Sequence, residues 1–389
     1  MSTIISWNNV MESVTFAFIS SGETSGPTTT SVPAVPQSLP GIVDAATKDL
    51  VTEVVNCYLL PVVFLFGVCG NVMSFVVLVV HGLNTSTNVL LLGVTVSDFC
   101  YLVTLYARKV SCIVSHFDPA VAMTIETTLI PNVFMVNRVF TLTTPFLTMI
   151  ITLERCLAVT LPLKIQSIVT PLRMKLAVIF IFIFTFCAVF PFFLCYQIRW
   201  VSDPVTNLTV PRLSGTPFFL THFDAITVYN NMVLSALFNY LPMAVVVVCT
   251  VIVITTVKKS AHWRKLTSQT SGERPEERRM TKLLMSVVAV YIVCYLPRCA
   301  VLVANSVAPN TFNSLGGRYG NLFYLISALQ HLLYAVNSSV NFIIYMVMSH
   351  KFFMTYKRVF LCHKMRGKGD ATNITRATSS LGASISSQH

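Results

Sequence analysis

The chain has 389 residues, 54% of them hydrophobic and only 11% charged, with a formal net charge of +12. Soluble domains carry about 25% charged residues, so this composition excludes a water-soluble protein built around one core. What remains is a membrane protein whose surplus of Lys and Arg must be explained by where those residues fall.

Residues 1–53 read as a disordered extracellular arm. Positions 20–40 are rich in Ser, Thr, Pro and Gly, a composition that cannot bury enough apolar surface to order itself. The first twenty residues, MSTIISWNNVMESVTFAFIS, lack the basic start and small-residue cleavage site of a removed signal peptide. The first apolar run is therefore expected to act as its own insertion signal. Crossing a hydrocarbon core of about 30 Å as a helix takes about 20 apolar residues. Seven runs meet that length: 55–80, 88–114, 128–153, 174–198, 226–256, 281–304 and 319–347. Helices of this kind satisfy their backbone hydrogen bonds internally, as lipid demands. The predicted fold class is an all-α membrane protein, with a seven-transmembrane helix bundle over 54–348. Beyond it, Phe352, Phe353, Tyr356 and Phe360 share a helical face opposite Lys and Arg. This predicts a short amphipathic helix over 349–364 that lies against membrane lipids. Residues 365–389 are read as a disordered cytoplasmic tail.

Lys and Arg concentrate in alternate gaps between the runs. The fifth-to-sixth gap holds Lys258, Lys259, Arg264, Lys265, Arg274, Arg278 and Arg279, and the C-terminal segment holds Lys351, Lys357, Arg358, Lys364, Arg366, Lys368 and Arg376. The positive-inside rule puts both in the cytoplasm and the N terminus outside. Basic residues confined to alternate loops speak against a nucleic-acid partner. The eleven cysteines lie nearly all inside the runs, with none in the arm or in 199–225, and are expected to behave as small buried hydrophobes. Cys362 follows the amphipathic stretch and is a palmitoylation candidate. Asn207, in NLT, is the one glycosylation sequon on the outer side.

Charges cost at least a few kcal/mol in lipid, so those that remain usually face the bundle interior and serve a purpose. Asp98 lies in the second run and Asn71, after Gly70, at similar depth in the first. Asn337, Asn341 and Tyr345 fall four apart on one face of the seventh, with Ser338 beside them and Thr144 midway along the third. One acid among neutral oxygens can hold a water network or a small cation such as Na+; a hydrogen-bond network that only aligns helices is the alternative. Asn137 and Arg155 are eighteen residues apart, five turns at about 3.6 residues each, so they share a face with Thr144 near the same line. In the sixth run Glu277, Tyr291, Tyr295 and Arg298 fall on a common stripe, and a kink is expected at Pro297.

Several motifs now stand in order: GN at 70–71, SD at 97–98, ERCLAVTLPL at 154–163, CYLP at 294–297 and NSSVNFIIY at 337–345. Over residues 54–362 the chain resembles the rhodopsin-like G-protein-coupled receptors. Within them, GLNTSTNVLLLGVTVSDF, ITLERCLAVTLPLKI and AVNSSVNFIIYMVMSHKF are most similar to gastropod (molluscan) chemosensory receptors, with FMRFamide-type peptide receptors the nearest alternative. The resemblance implies that Arg155 closes the cytoplasmic end at rest and turns to a heterotrimeric G protein on activation, and that arrestin is a further partner. Glu154 would hold Arg155 locally, Glu277 would be its cross-helix partner, and Leu163 would offer an apolar knob to the G protein. Tyr345 closes the seventh-run motif. Tyr295, with Tyr291 and Pro297, takes the toggle position.

The chain departs from the family pattern in places. Tyr295 replaces the toggle tryptophan, Phe342 replaces a proline, and the fourth run lacks the family's tryptophan. The family's disulfide joins the outer end of helix three to the second extracellular loop, but Ile130 lies near the helix position and 199–225 has no Cys. The outer pocket is thus expected to be less cross-linked and the loop mobile. Asn137 stands where monoamine receptors carry an aspartate, which disfavours a simple amine. The outer halves of the helices hold Arg108, Lys109, Arg138 and Arg298, and a guanidinium fork suits carboxylate, phosphate or sulfate. A ligand with an anionic group is expected, either a small molecule such as an amino acid or acid odorant, or a peptide; internal pairing with Glu126 or Asp224 is the alternative. Two other function classes compete. A small-solute transporter would show paired repeats, and none is visible. A membrane enzyme needs a metal or nucleophile cluster, but the histidines are scattered without ligand spacing.

Overall fold

The computed structural model describes residues 42–202, 209–267, 275–307 and 319–361. In chain order the elements begin with α1 (Ala45–Glu53), a π-helical turn (Val54–Leu59), α2 (Leu60–His81), α3 (Ser86–Val114), α4 (Pro119–Thr128) and α5 (Ile130–Thr160). Then come α6 (Ile165–Ile168), α7 (Pro171–Phe193), the strands β1 (Tyr196–Ser202) and β2 (Thr209–Gly215), α8 (Pro217–Thr221) and α9 (Phe223–Val228). Two π-helical turns (Tyr229–Leu234 and Ala236–Tyr240) lead into α10 (Leu241–Thr267), followed by α11 (Pro275–Val307), α12 (Gly320–Met348) and α13 (His350–Tyr356), which ends in a π-helical turn (Lys357–Leu361).

Seven of the helical segments are long and apolar enough to cross a membrane: Ala45–His81, Ser86–Val114, Pro131–Thr160, Pro171–Phe193, Phe223–Lys259, Arg279–Ala304 and Gly320–Met348. They are the first to seventh spans and form the expected bundle. The third packs against the second, fourth, fifth and sixth; the first packs against the second and seventh. Local chemistry sets their ends. Thr85 and Thr170 cap the second and fourth spans by accepting from the amides of Asn88 and Arg173, each at 3.3 Å, which satisfies donors that would otherwise be orphaned. Gly82 ends the first span with φ of 83°, a left-handed conformation that glycine adopts without steric cost.

The third span carries four successive buried hydroxyls in a largely apolar helix. Thr143, Thr148 and Thr152 each donate to the carbonyl four residues earlier, at 2.8, 2.9 and 2.7 Å. Back-bonding of this kind lets a hydroxyl sit in an apolar environment without an empty donor. Thr143 also meets Thr185 of the fourth span at 2.9 Å, so this pair supplies a polar tie between the third and fourth spans.

Several expectations need correction. Residues 45–53, assigned to the disordered arm, are helical, because Asp44 caps the helix by accepting from Thr47 N at 3.0 Å. The fourth run, read as apolar to 198, leaves its helix at Phe193, and β1 and β2 pair antiparallel from Tyr196 opposite Gly215 to Ser202 opposite Thr209, so this part of the loop is ordered by ladder hydrogen bonds. The helix of the third span runs to Thr160, past the end of the apolar run at 153, and carries Arg155 within it. Finally, Cys57 and Cys112 are not apolar fillers but a disulfide between the first and second spans. The segments 1–41, 203–208, 268–274, 308–318 and 362–389 fall outside the described residues, and with them the tail and most of the arm.

The amphipathic helix is present as α13. Ser349 caps it by accepting from Phe352 N at 3.3 Å. Phe352 is buried against the bundle, while Phe360 is exposed. Phe342, in place of the family's proline, packs edge-on to Phe352 and Tyr356 at 6.3 and 5.8 Å and fills the space left by Gly70. The first span lies close against the second and seventh at Gly67, where a Cβ would lie 2.1 Å from Ser339 Oγ and 2.6 Å from Leu102 Cδ1. Gly67→Leu is expected to lower stability by about 1–3 kcal/mol through overpacking. Thermal melting of the purified chain against a lipid-facing Val72→Leu control checks this.

Candidate functional site: a polar column, a guanidinium clasp and a basic cavity

Asp98 is fully buried. Its Oδ1 accepts from Ser338 Oγ at 2.9 Å and Thr144 Oγ1 at 3.2 Å, and its Oδ2 accepts from Asn341 Nδ2 at 2.8 Å. The second, third and seventh spans thus converge on one carboxylate. Ser97 Oγ reaches Thr144 Oγ1 at 3.0 Å. Asn71 donates to Gly67 O at 2.9 Å and to Ser338 O at 2.8 Å, adding the first span to the network. Asn337 is buried but is not among the partners of Asp98. The contacting pair is Ser338 and Asn341, three apart, in place of the expected four-residue stripe. Tyr345 is buried nearer the short helix, its ring 5.5 Å from that of Phe352.

Beyond that column Arg155 is clasped. Its Nη2 lies 2.7 Å from Glu154 Oε1 and 2.6 Å from Thr87 Oγ1, its Nε lies 3.3 Å from Glu154 Oε2, and Thr87 Oγ1 donates to Glu154 Oε1 at 3.1 Å. Each member of the triad touches the other two. Thr87 of the second span was not anticipated, though its place on a span that already held Asp98 was a signal. The side chain of Glu277 lies outside the described residues, so its pairing with Arg155 is not described. Leu163, in the turn after the third span, is 95% exposed.

Asn137, Thr144 and Arg155 all meet the second span. At the hairpin end Asn137 Nδ2 donates to Tyr101 O at 3.1 Å and Thr104 Oγ1 at 2.9 Å, and its Oδ1 accepts from Arg108 Nη1 at 3.1 Å. Arg108 also lies over the Phe134 ring at 4.5 Å, and Arg138 over Phe192 at 4.8 Å. Arg138 donates to Asn230 Oδ1, an amide that a π-helical turn of the fifth span turns inward. Among the described residues it rests on that amide and on an aromatic ring; Glu126 accepts from Ser111 at 3.0 Å, and Asp224 is exposed.

Arg108, Asn137, Arg138 and Arg298 line one cavity, with Asn230, Asn231, Asn239 and Gln330 among its other walls. Among the described residues its lining has three guanidiniums and no carboxylate. Tyr334, also in the wall, stacks on Tyr295 at 4.2 Å, and Tyr295 meets Tyr291 at 4.5 Å. The toggle position therefore sits in a pile of phenol rings beneath the cavity, and Pro297 lies inside the same helix. Asn207 and Cys362 lie outside the described residues.

Seven membrane-spanning helices around a buried carboxylate, with a basic cavity at one end and a clasped arginine at the other, define a seven-helix transmembrane receptor. The model of the 7 transmembrane receptor (rhodopsin family) matches residues 70–345, and the chain belongs to that family. The FMRFamide receptor of Drosophila melanogaster is 25% identical over 315 residues, 78% of this chain and 52% of that receptor. Somatostatin receptor type 2 of Sus scrofa is 24% identical over 330 residues, 83% of this chain and 81% of that one. Galanin receptor 2a of Danio rerio is 23% identical over 324 residues, 80% of this chain and 79% of that one. The chain spans about half the length of the first of these relatives. The family and these relatives are receptors, not enzymes.

Proposed function

We propose that this receptor sits in the plasma membrane with its N terminus outside, binds an extracellular peptide carrying an anionic group, and activates a heterotrimeric G protein. One observation carries the ligand chemistry: three guanidiniums and no carboxylate line the cavity among the described residues. Like charges in a shared low-dielectric space repel, and an entering anion relieves that repulsion while accepting charge-assisted hydrogen bonds. The surrounding Asn and Gln side chains suit the backbone amides of a peptide, and the relatives named above are peptide receptors. A second reading is chemosensation of a small acid. It is supported by the same cavity chemistry.

On the coupling side, the clasp of Arg155, Glu154 and Thr87 is the resting state. Opening the bundle frees the guanidinium for the G protein, and exposed Leu163 supplies an apolar contact. A charge that trades one set of partners for another suits a two-state switch. Near Asp98 the carboxylate and hydroxyl oxygens of Ser338, Thr144 and Ser97 make an oxygen-rich donor set that fits a hard cation, and Na+ is the ion proposed there. The same orientation leaves Asn207 open to glycosylation and Cys362 to palmitoylation, and presents the cytoplasmic face to arrestin.

Three outcomes are expected. In a membrane nucleotide-exchange assay, acidic peptides and small acids activate the wild type. Arg138→Ala or Arg298→Ala raises the half-maximal concentration about tenfold or more, the worth of one charge-assisted hydrogen bond. A wild type that answers only amines would end the anionic-ligand reading. Arg155→Leu abolishes agonist-driven exchange, whereas Thr87→Val raises basal exchange by loosening the clasp; unchanged turnover in Arg155→Leu would sink the switch. NaCl, compared with choline chloride at equal ionic strength, raises the melting temperature of the wild type but not of Asp98→Asn, and equal melting in both salts would remove the cation.

A further inference from the structure

The end of the second span that lies beside the cavity is attached to the first span in three ways that the ligand reading does not use. Cys57 and Cys112 are bonded, with Cα atoms 5.6 Å apart. His116 Nε2 lies 3.5 Å from Glu53 Oε1. Phe64 and Tyr106 stack at 4.2 Å with an interplanar angle of 8°. The backbone of the first span is also adapted at this point. Its π-helical turn, Val54–Leu59, buries three consecutive residues, Val55, Asn56 and Cys57. An α-helix advances about 100° per residue, so three neighbours seldom share a buried face. The wider π turn widens that face and aims Cys57 at the second span.

Cys112 lies four residues beyond Arg108, one turn along the same helix face. Arg108 is only 2% exposed, donates to Asn137 and lies over Phe134, both on the third span. A buried guanidinium is stabilised by such partners only while they stay in register, so a shift of the second span would weaken these contacts. Among the described residues Cys57–Cys112 is the one covalent tie between spans; the other eight described cysteines are free, and the paired strands contain none.

We propose that the Cys57–Cys112 disulfide is the positioning element of the cavity. It fixes the height and rotation of the second span so that the Arg108 guanidinium is held on Asn137 and Phe134 in the cavity wall. The function left without a residue by the missing helix-three disulfide is thus carried by a different pair of helices. Only the statement that this bond faces an oxidising compartment rests on the orientation proposed above.

The test needs no ligand and so cannot fail with the ligand reading. Full-length receptor in lipid nanodiscs is alkylated with iodoacetamide before and after reduction and mapped by peptide mass spectrometry. Cys57 and Cys112 are expected to label only after reduction, and free thiols at both positions would overturn the proposal. Arginine modification by phenylglyoxal is then followed residue by residue in the wild type and in Cys57→Ser/Cys112→Ser. Loss of the bond opens this region locally, so Arg108 should react about tenfold faster or more while Arg155 and Arg298 keep their wild-type rates. An unchanged Arg108 rate overturns the proposal. Equal acceleration of all three arginines also overturns it, since that reports general loosening. If the double variant does not fold, wild-type receptor already in nanodiscs is reduced with a phosphine and judged by the same outcomes.

Discussion

A carboxylate at the centre of a hydrocarbon slab is tolerable only when other groups replace the water it has lost. Asp98 meets that condition with three donors drawn from the third and seventh spans, and much of the bundle's register follows from it. Ser338 can reach Asp98 only if the seventh span is rotated to present it, and that rotation brings its backbone carbonyl to Asn71. The third span must face Thr144 to the second span. On a straight helix this also presents Asn137 and Arg155 to the second span, at opposite ends. One satisfied acid therefore fixes the faces that build both the cavity wall and the clasp.

The two ends of that column use the same cation differently. At the clasp, Arg155 has a carboxylate beside it and a threonine from a neighbouring helix, a compact set that can be exchanged as a unit. In the cavity, Arg108 and Arg138 rest on neutral amides and aromatic faces. Such partners hold a guanidinium in place, and among the described residues the cavity lining itself carries no carboxylate, whereas the clasp carries its own. Cation–π contacts contribute in the same way, orienting the plane of the guanidinium and leaving its edge groups for hydrogen bonds.

Much of this was legible in the sequence, because lipid is a severe solvent. Spans announce themselves by length, and Asp98, Asn137 and Arg155 stood out because a polar group there must have a reason. What was not legible depended on partners that carry no cost of their own. Thr87 and Asn230 are ordinary residues whose importance comes only from the arginine opposite. A guanidinium in sequence points to a carboxylate, and Arg138 instead rests on the amide of Asn230. Ser338 was placed beside a stripe of asparagines when it was itself the contact, because residues three apart share a helix face as well as residues four apart. Two cysteines fifty-five residues apart give no hint of pairing when both lie in apolar runs. The hairpin escaped notice because β1, YQIRWVS, is short and continues from a span with no polar break.

The pile of tyrosines beneath the cavity has a mechanical side. Tyr334 belongs to the seventh span and forms part of the wall, Tyr295 and Tyr291 belong to the sixth, and Tyr101 of the second meets Tyr334 edge-on at 6.3 Å. Flat rings in face contact slide with little resistance but compress hardly at all. A push delivered to the topmost ring is therefore passed downward and sideways as displacement and is not absorbed where it lands. With an indole in that place the pile would lose a hydroxyl and gain breadth; with phenols throughout, one stacked, one tilted and one edge-on contact join the second, sixth and seventh spans.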